Sequence, residues 1–273
     1  MRRAVRRAWG WREFRRGTLF LFTLAVFPGA VLAGEGAQTN APPVSGPQLL
    51  AEVVSRLPGD PMRLTGELIV RKRKGVVLSR FQFELRLNLG ESPSHALYTI
   101  RDAFGVELEQ LAVTRGADGG TQFTYSSGSP LVEGPTPDLF ATIQNSDVCW
   151  ADLALSFLWW DGAQVAGSER VLDRDCYVVD VPAPADLSAR AASGASRCAW
   201  VKVWIDKEMK MLFQAEGLDA RRAPLSRLWV RSFKRFDGRW MIKDMEVQRS
   251  SGDQRTKLQI DDVATKPEEG VNP

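Results

Sequence analysis

Histidine and cysteine are scarce in this chain of 273 residues, with one histidine, His95, and three cysteines, Cys149, Cys176 and Cys198. A Ser-His-Asp triad, a Cys-His dyad or a His-rich metal site would each rest on one imidazole in the turn-like stretch Ser92-Pro93-Ser94-His95. We read His95 as a surface histidine. The cysteines lack a C-x-x-C spacing, and neither a G-x-x-x-x-G-K-[ST] phosphate loop nor a G-x-S-x-G elbow occurs. Nucleotide and acyl-transfer chemistry thereby lose their usual supports. Excess positive charge is also missing where it would matter. The formal charge is +3, but seven arginines lie within the first 33 residues against one acid, Glu13, and without them 29 bases face 32 acids. That balance gives no support for nucleic-acid binding. Long apolar runs are few: Leu19 to Leu32 is shorter than the ~20 residues of a spanning helix and is interrupted by Pro28 and Gly29.

What is present at the N-terminus is an arginine-rich region, this apolar stretch, and Val31-Leu32-Ala33 before Gly34. We expect residues 1–33 to be a cleaved secretory signal and the product to be exported in soluble form to the periplasm. Arg15-Arg16-Gly17-Thr18-Leu19 loosely resembles a twin-arginine signal, and the export route stays open. In an oxidising compartment, Cys176 and Cys198 are candidates for a disulfide; three buried thiols are the alternative.

The chain as a whole, with 44% hydrophobic and 25% charged residues, fits one globular domain or at most two small ones. Residues 34–47 read as a flexible mature N-terminus. In Pro47 to Leu57, the spacing of Leu50, Val53, Val54 and Leu57 predicts a short amphipathic helix, stopped by Pro58-Gly59. The period then changes to two. Leu68 and Val70 share a face, and Val76 to Leu89 places Phe81, Phe83, Leu85, Leu87 and Leu89 on one face with Arg80, Gln82, Glu84, Arg86 and Asn88 on the other. Roughly ten or eleven strands are expected, interrupted by a helix over about Asp147 to Trp160, capped near Ser146 or Asp147, and by a Pro/Ala/Ser loop from Pro182 to Ser196. Strands without long helices between them imply an antiparallel sheet, and so many must curl. The expected fold is mainly β: an incomplete antiparallel barrel, its concave face covered by the helical segments.

Carboxylate pairs such as Glu107 with Glu109, or Asp261 with Asp262, meet the minimum for glycosidase chemistry, but a solvated strand face accounts for them as well. The run Arg71-Lys72-Arg73-Lys74 reads as a solvated hairpin tip, with an anionic head group or partner as the alternative. Nine tryptophans stand out, with Trp150, Trp159 and Trp160 on one short segment that is apolar on several sides. Such a segment needs several buried surfaces, one of which suits a ligand cavity.

Taken together, Asp147-Val148-Cys149-Trp150-Ala151-Asp152-Leu153, Phe157-Leu158-Trp159-Trp160, Gly167-Ser168-Glu169, Asp175 to Pro182, Val203-Trp204-Ile205-Asp206 and Phe236 to Met241 resemble the outer-membrane lipoprotein-sorting family, the LolA-like carriers. The resemblance spans residues 48–263, with 264–273 as a flexible tail. It implies an apolar cavity for the acyl chains of lipoproteins or related lipids, transfer partners at the inner and outer membranes, a monomer, and no catalytic residue, metal, cofactor or nucleic-acid partner. The lining expected is Leu68, Phe81, Phe83, Leu85 and Leu87 from the sheet, with Leu50, Val53, Val54, Leu153, Phe157 and Leu158 from the helices; Trp204 and Trp229 fit either face. Phe83→Glu and Phe157→Glu should reduce apolar-ligand binding if those rings line the cavity and abolish folding if they are core. A lipoprotein-sensing or interaction module on the same fold is the alternative, which the short stretch after Val263 disfavours; a carboxylate hydrolase is the third reading.

Overall fold

The computed structural model describes residues 44–72, 74–185, 187, 197–236 and 238–265. The expected signal, most of the expected N-terminal arm, much of the Pro182 to Ser196 loop and most of the expected tail lie outside the described residues.

Helix α1, Gly46–Ser55, begins with a capping box. The Gln48 amide donates to the Ser45 Oγ, and the Ser45 amide donates back to the Gln48 side chain at 3.1 Å. Its apolar stripe buries Leu49, Leu50 and Val53. Six strands follow: β1 Met62–Lys72, β2 Val77–Asn88, β3 Ser94–Arg101, β4 Glu107–Arg115, β5 Thr121–Ser127 and β6 Val132–Gly134. Seven more come after a non-strand interval: β7 Gln164–Val171, β8 Arg174–Pro182, β9 Trp200–Asp206, β10 Leu212–Leu218, β11 Pro224–Phe236, β12 Arg239–Arg249 and β13 Gln254–Ala264. Thirteen strands are thus formed among the described residues, against the ten or eleven expected. Three-residue β6 is too short to show a period.

All thirteen belong to one antiparallel sheet in the order β6-β5-β4-β3-β2-β1-β13-β12-β11-β10-β9-β8-β7. Every neighbour is a sequence neighbour except β1 and β13, which close the chain at the middle of the sheet. The two edges are therefore β6 and β7, and the interval between them must travel from one edge to the other. It does so over one face, which makes residues 135–163 the cover of the sheet. The sheet does not close on itself, so the fold is an incomplete barrel.

Register puts the alternating apolar residues on the covered face. Met62 pairs with Leu87, Leu64 with Leu85, Gly66 with Phe83 and Leu68 with Phe81. On the other side of β2, Phe83 faces Ile100 and Leu85 faces Tyr98. Gly66 sits at a β-bulge against β13. A Cβ there would lie 2.6 Å from the Phe83 Cζ and would overlap the Gln259 carbonyl, so the glycine makes room for the aromatic ring. The opposite face is held by ion pairs across strands, among them Glu84 with Arg86 and Arg101, and Glu246 with Arg231 and Arg255.

One expectation is corrected and two alternatives that the sequence leaves open are decided. The helix over 147–160 is broken: α2 is only Trp150–Leu153, Leu155 takes a left-handed φ of 47°, and a 3-10 turn follows over Ser156–Trp159. Its cap is Cys149, whose amide donates to the Asp152 carboxylate, because Asp147 is engaged with the sheet instead. Trp204 and Trp229 lie on the uncovered face. Trp204 packs with Cys176, Val178 and Phe213 and donates its indole N–H to Glu169, while Arg227 and Arg231 flank Trp229. Finally, no Cys176–Cys198 disulfide exists, and the three cysteines are buried thiols. Cys176 lies opposite Asp206 in the β8–β9 ladder, whereas Cys198 precedes β9 at the ladder's other end and belongs to the main core on the other face. Disulfide geometry cannot span that arrangement.

Candidate functional site

Between the cover and the sheet lies an apolar cavity of about 140 Å³. The sheet contributes Leu64, Leu85, Leu87, Tyr98, Met245 and Ile260; α1 contributes Val53, and the turn after it Leu57 and Pro58; the cover contributes Leu153, Leu155, Leu158 and Trp159. Trp240, half exposed, stands at the rim with Met241 and Ile242. Four of the chain's six methionines, Met62, Met211, Met241 and Met245, border this one space. Methionine is flexible and polarisable, so a wall built of it adapts to an irregular apolar guest.

Of the eleven residues expected to line the cavity, the structure brings five together there: Val53, Leu85, Leu87, Leu153 and Leu158. The other six are packed elsewhere. Leu50 and Leu68 are fully enclosed core, Val54 and Phe81 pack against that core at partial exposure, and Phe83 fills the space over Gly66. Phe157 stacks edge-on against Trp160, their centroids 6.4 Å apart, and borders a different cavity. Alternation gives the face of a strand but not the depth at which packing leaves a gap, so the missed residues Trp159, Trp240 and the methionines carried no periodic signal. The nearest hint was the cluster of tryptophans on the cover.

Two further cavities adjoin the cover. One, of about 240 Å³, shares Leu89, Tyr98, Ala154 and Trp159 with the apolar cavity and adds polar groups, including Arg115, His95 and Thr121. His95 is exposed, as expected, and its ring nitrogen lies 3.3 Å from the Thr114 hydroxyl. The other, of about 360 Å³, lies beside Cys149, Asp152, Cys198 and Arg249. Burial, and then the neighbouring Asp152 carboxylate, pushes the Cys149 thiol well above its ordinary pKa. Burial likewise pushes Cys198 up to about 12. Both are thus protonated thiols at neutral pH rather than the thiolates that nucleophilic chemistry requires.

The cover is fastened to the sheet by a buried polar staple. The Thr256 hydroxyl accepts from the Asp147 amide at 2.9 Å and donates to the Asp147 carboxylate at 2.9 Å. Arg249 donates its Nε to the Asp147 carbonyl at 3.1 Å and an Nη to the Phe140 carbonyl at 3.0 Å. Thr256 is wholly buried and Asp147 nearly so. Buried polar groups are retained where their bonds are made, and here they fix where the cover crosses the sheet.

The carboxylates singled out in the sequence have separate partners. Glu107 pairs with Arg101 at 2.8 Å, while Glu109 accepts from the Tyr125 hydroxyl and the Gln144 amide. Asp261 and Asp262 are exposed. The described part of the basic run is the tip of the β1–β2 hairpin, where Gly75 turns the chain at a φ of 87°. Among the described residues no group of His, Cys, Asp and Glu is placed to hold a metal, and no helix is long and apolar enough to cross a membrane.

The overall fold is shared with solved structures. A putative outer membrane lipoprotein-sorting protein domain from Vibrio parahaemolyticus superposes with a TM-score of 0.63 at 14% identity, covering 82% of this chain and 94% of that one. A LolA superfamily protein from Nitrosomonas europaea gives 0.59 at 12% identity over 82% and 94%. A DUF1329 family protein from Desulfovibrio piger gives 0.64 at 16% identity over 83% and 93%. The fold is therefore LolA-like, as the sequence resemblance implied. Residues 132–269 match the model of a family described as "Uncharacterized protein", and the chain belongs to that family. No curated protein matches the sequence.

Proposed function

We propose that the protein is a periplasmic carrier that takes the acyl chains of lipoproteins, or of related lipids, into the apolar cavity beneath its cover for transfer towards the outer membrane, without catalysis or a cofactor. The observation that carries the reading is the methionine-rich apolar gap between sheet and cover, in a fold shared with a lipoprotein-sorting domain. Exposing an acyl chain to water costs roughly 0.8 kcal/mol per methylene, so a lipid cannot cross an aqueous compartment bare. A carrier needs to match the stability a membrane gives, not exceed it, if loading and release are both to proceed.

The cavity of about 140 Å³ is smaller than the ~300–1,000 Å³ of typical ligand sites. A whole acyl chain therefore requires the cover to shift, and the left-handed Leu155 breaks the cover between α2 and the 3-10 turn.

The test is native mass spectrometry of the protein released gently from its own cells, followed by uptake of a triacylated lipopeptide by the delipidated protein. A chain beginning at Gly34 with acylated cargo, and uptake weakened by Leu87→Glu in a folded variant, is the expected result. A folded protein that takes up neither lipopeptide nor a hydrophobic probe would overturn the carrier reading and favour the interaction module.

A further inference from the structure

The covered face of β4 reads Leu111, Val113, Arg115, since these alternate residues share one side of the strand. Leu111 and Val113 are core. At the third position the apolar row ends in a guanidinium, and it ends inside the 240 Å³ cavity that shares a wall with the apolar one. Arg115 lies 4.2 Å over the Trp159 ring, and its Nε is sealed from solvent without a hydrogen-bond partner. Among the described residues it forms no ion pair, although Asp161 lies on the same cavity wall. Arg101 is answered by Glu84 and Glu107 and Arg249 by two backbone carbonyls; the Nε of Arg255 is also unbonded but that guanidinium pairs with Glu246, and Arg71, whose Nε is unbonded too, lines neither of the two cavities. Burial acts against the charge of Arg115 and lowers its pKa, so an anion entering this space would supply what the described residues do not.

The shared wall of Leu89, Tyr98, Ala154 and Trp159 sets the two spaces side by side, one predominantly apolar with Arg56 on its wall and one with polar groups and the Arg115 guanidinium. We propose that Arg115 is the head-group site for an anionic amphiphile, a phosphate or carboxylate carried on an acyl chain that occupies the apolar cavity. The inference rests on the acyl-binding reading above and narrows it to a charge class. Guanidinium suits either anion, because its planar fork can give two parallel N–H donors to phosphate or carboxylate oxygens. Trp159 carries both parts of the site, with one cavity on either side of it and the guanidinium over its ring.

The experiment compares four probes with the purified full chain by calorimetry: 1-palmitoyl lysophosphatidylglycerol, palmitate, neutral monopalmitoylglycerol, and inorganic phosphate. The expected result is that one or both anionic amphiphiles bind about tenfold or more tightly than the neutral one, a factor equivalent to ~1.4 kcal/mol. Which of the two gains the advantage distinguishes a phosphate from a carboxylate head. Arg115→Gln should bring the anionic affinity down to that of monopalmitoylglycerol, and Arg115→Lys should recover part of the difference. Binding of the neutral amphiphile by each variant reports that the apolar cavity is intact. Equal affinity for anionic and neutral amphiphiles, or a preference that survives Arg115→Gln, overturns the head-group site and leaves acyl binding standing. Arg115-dependent binding of inorganic phosphate as tight as that of the phosphate amphiphile overturns it as well, since the chain would then add nothing. Binding of none of the amphiphiles removes both readings.

Discussion

Thr256→Val tests whether the Asp147 staple holds the cover in place. Valine keeps the branched shape in a site with no exposure, but it removes the hydroxyl that accepts from the Asp147 amide and donates to its carboxylate. Losing a neutral hydrogen bond costs ~0.5–1.5 kcal/mol and losing one to a charged group ~1.5–3 kcal/mol, and neither Asp147 group can turn to water. We expect a net loss of about 2–4 kcal/mol. With a urea dependence of ~2–3 kcal/mol per M, the unfolding midpoint should fall by about 1 M. In a double-mutant cycle with Asp147→Ala, the two changes should fail to add, with a coupling of ~1–3 kcal/mol. Because the staple secures the cover over the apolar cavity, the same variant should take up a solvatochromic hydrophobic probe more readily before it unfolds. A midpoint within about 0.2 M of the parent, or additive effects in the cycle, would refute the role given to these bonds.

Two other predictions follow from packing and charge. Phe83→Ala should cost ~3–5 kcal/mol in urea unfolding, because the ring is core over Gly66, and Phe83→Glu should prevent folding outright rather than merely weaken ligand uptake. The second concerns acid. Burial raises the Asp206 pKa, but two bonds from Arg174 and those from the Met209 and Glu208 amides outweigh it, so the carboxyl sits below its ordinary value of 3.8. The stabilisation is therefore complete above the unfolded value and lost as pH falls through the folded one. Asp206→Asn should lower stability at neutral pH and flatten the decline measured by urea titration from about pH 5 to about pH 2.

Much of the fold was legible along the chain because a strand with one buried face must alternate. Phe81, Phe83, Leu85 and Leu87 announced β2, and Leu68 and Val70 announced β1, and all fall on the covered face in the observed register. The capping residues and apolar stripe of α1 were equally local. The tryptophan-rich segment was recognisable as cover because it is apolar on too many sides for one strand or one helix face. Its helical length was misjudged, since propensity is a local quantity. Asp147 is drawn away from any capping role by Thr256, more than a hundred residues distant in sequence.

The candidate site was only partly readable. Period two separates the covered face from the uncovered one, but it does not tell a residue that fills a gap, such as Phe83, from one that borders it, such as Leu85. Both belong to the same row of β2. For Trp204 and Trp229 even the face was undetermined, and only the pairing of Trp204 with Gln214 and of Gln214 with Trp229 places both on the uncovered side. Arg115 shows the same limit from the polar side: in the sequence it is one arginine at the end of an alternating run, and that it has no ion pair among the described residues emerges only when the neighbouring elements are in place.

By itself the sequence determined a mainly antiparallel β protein with an apolar cover and the alternation that buries one face, because these depend on residues a few positions apart. The tertiary structure alone decided that β1 meets β13 at the centre of the sheet and that the cover must cross from edge to edge. It also decided which side chains border empty space and that Arg115 faces a cavity with no ion-pair partner among the described residues. Those outcomes arise from contacts between distant segments, where volume and hydrogen-bond geometry are settled jointly by all the elements that meet.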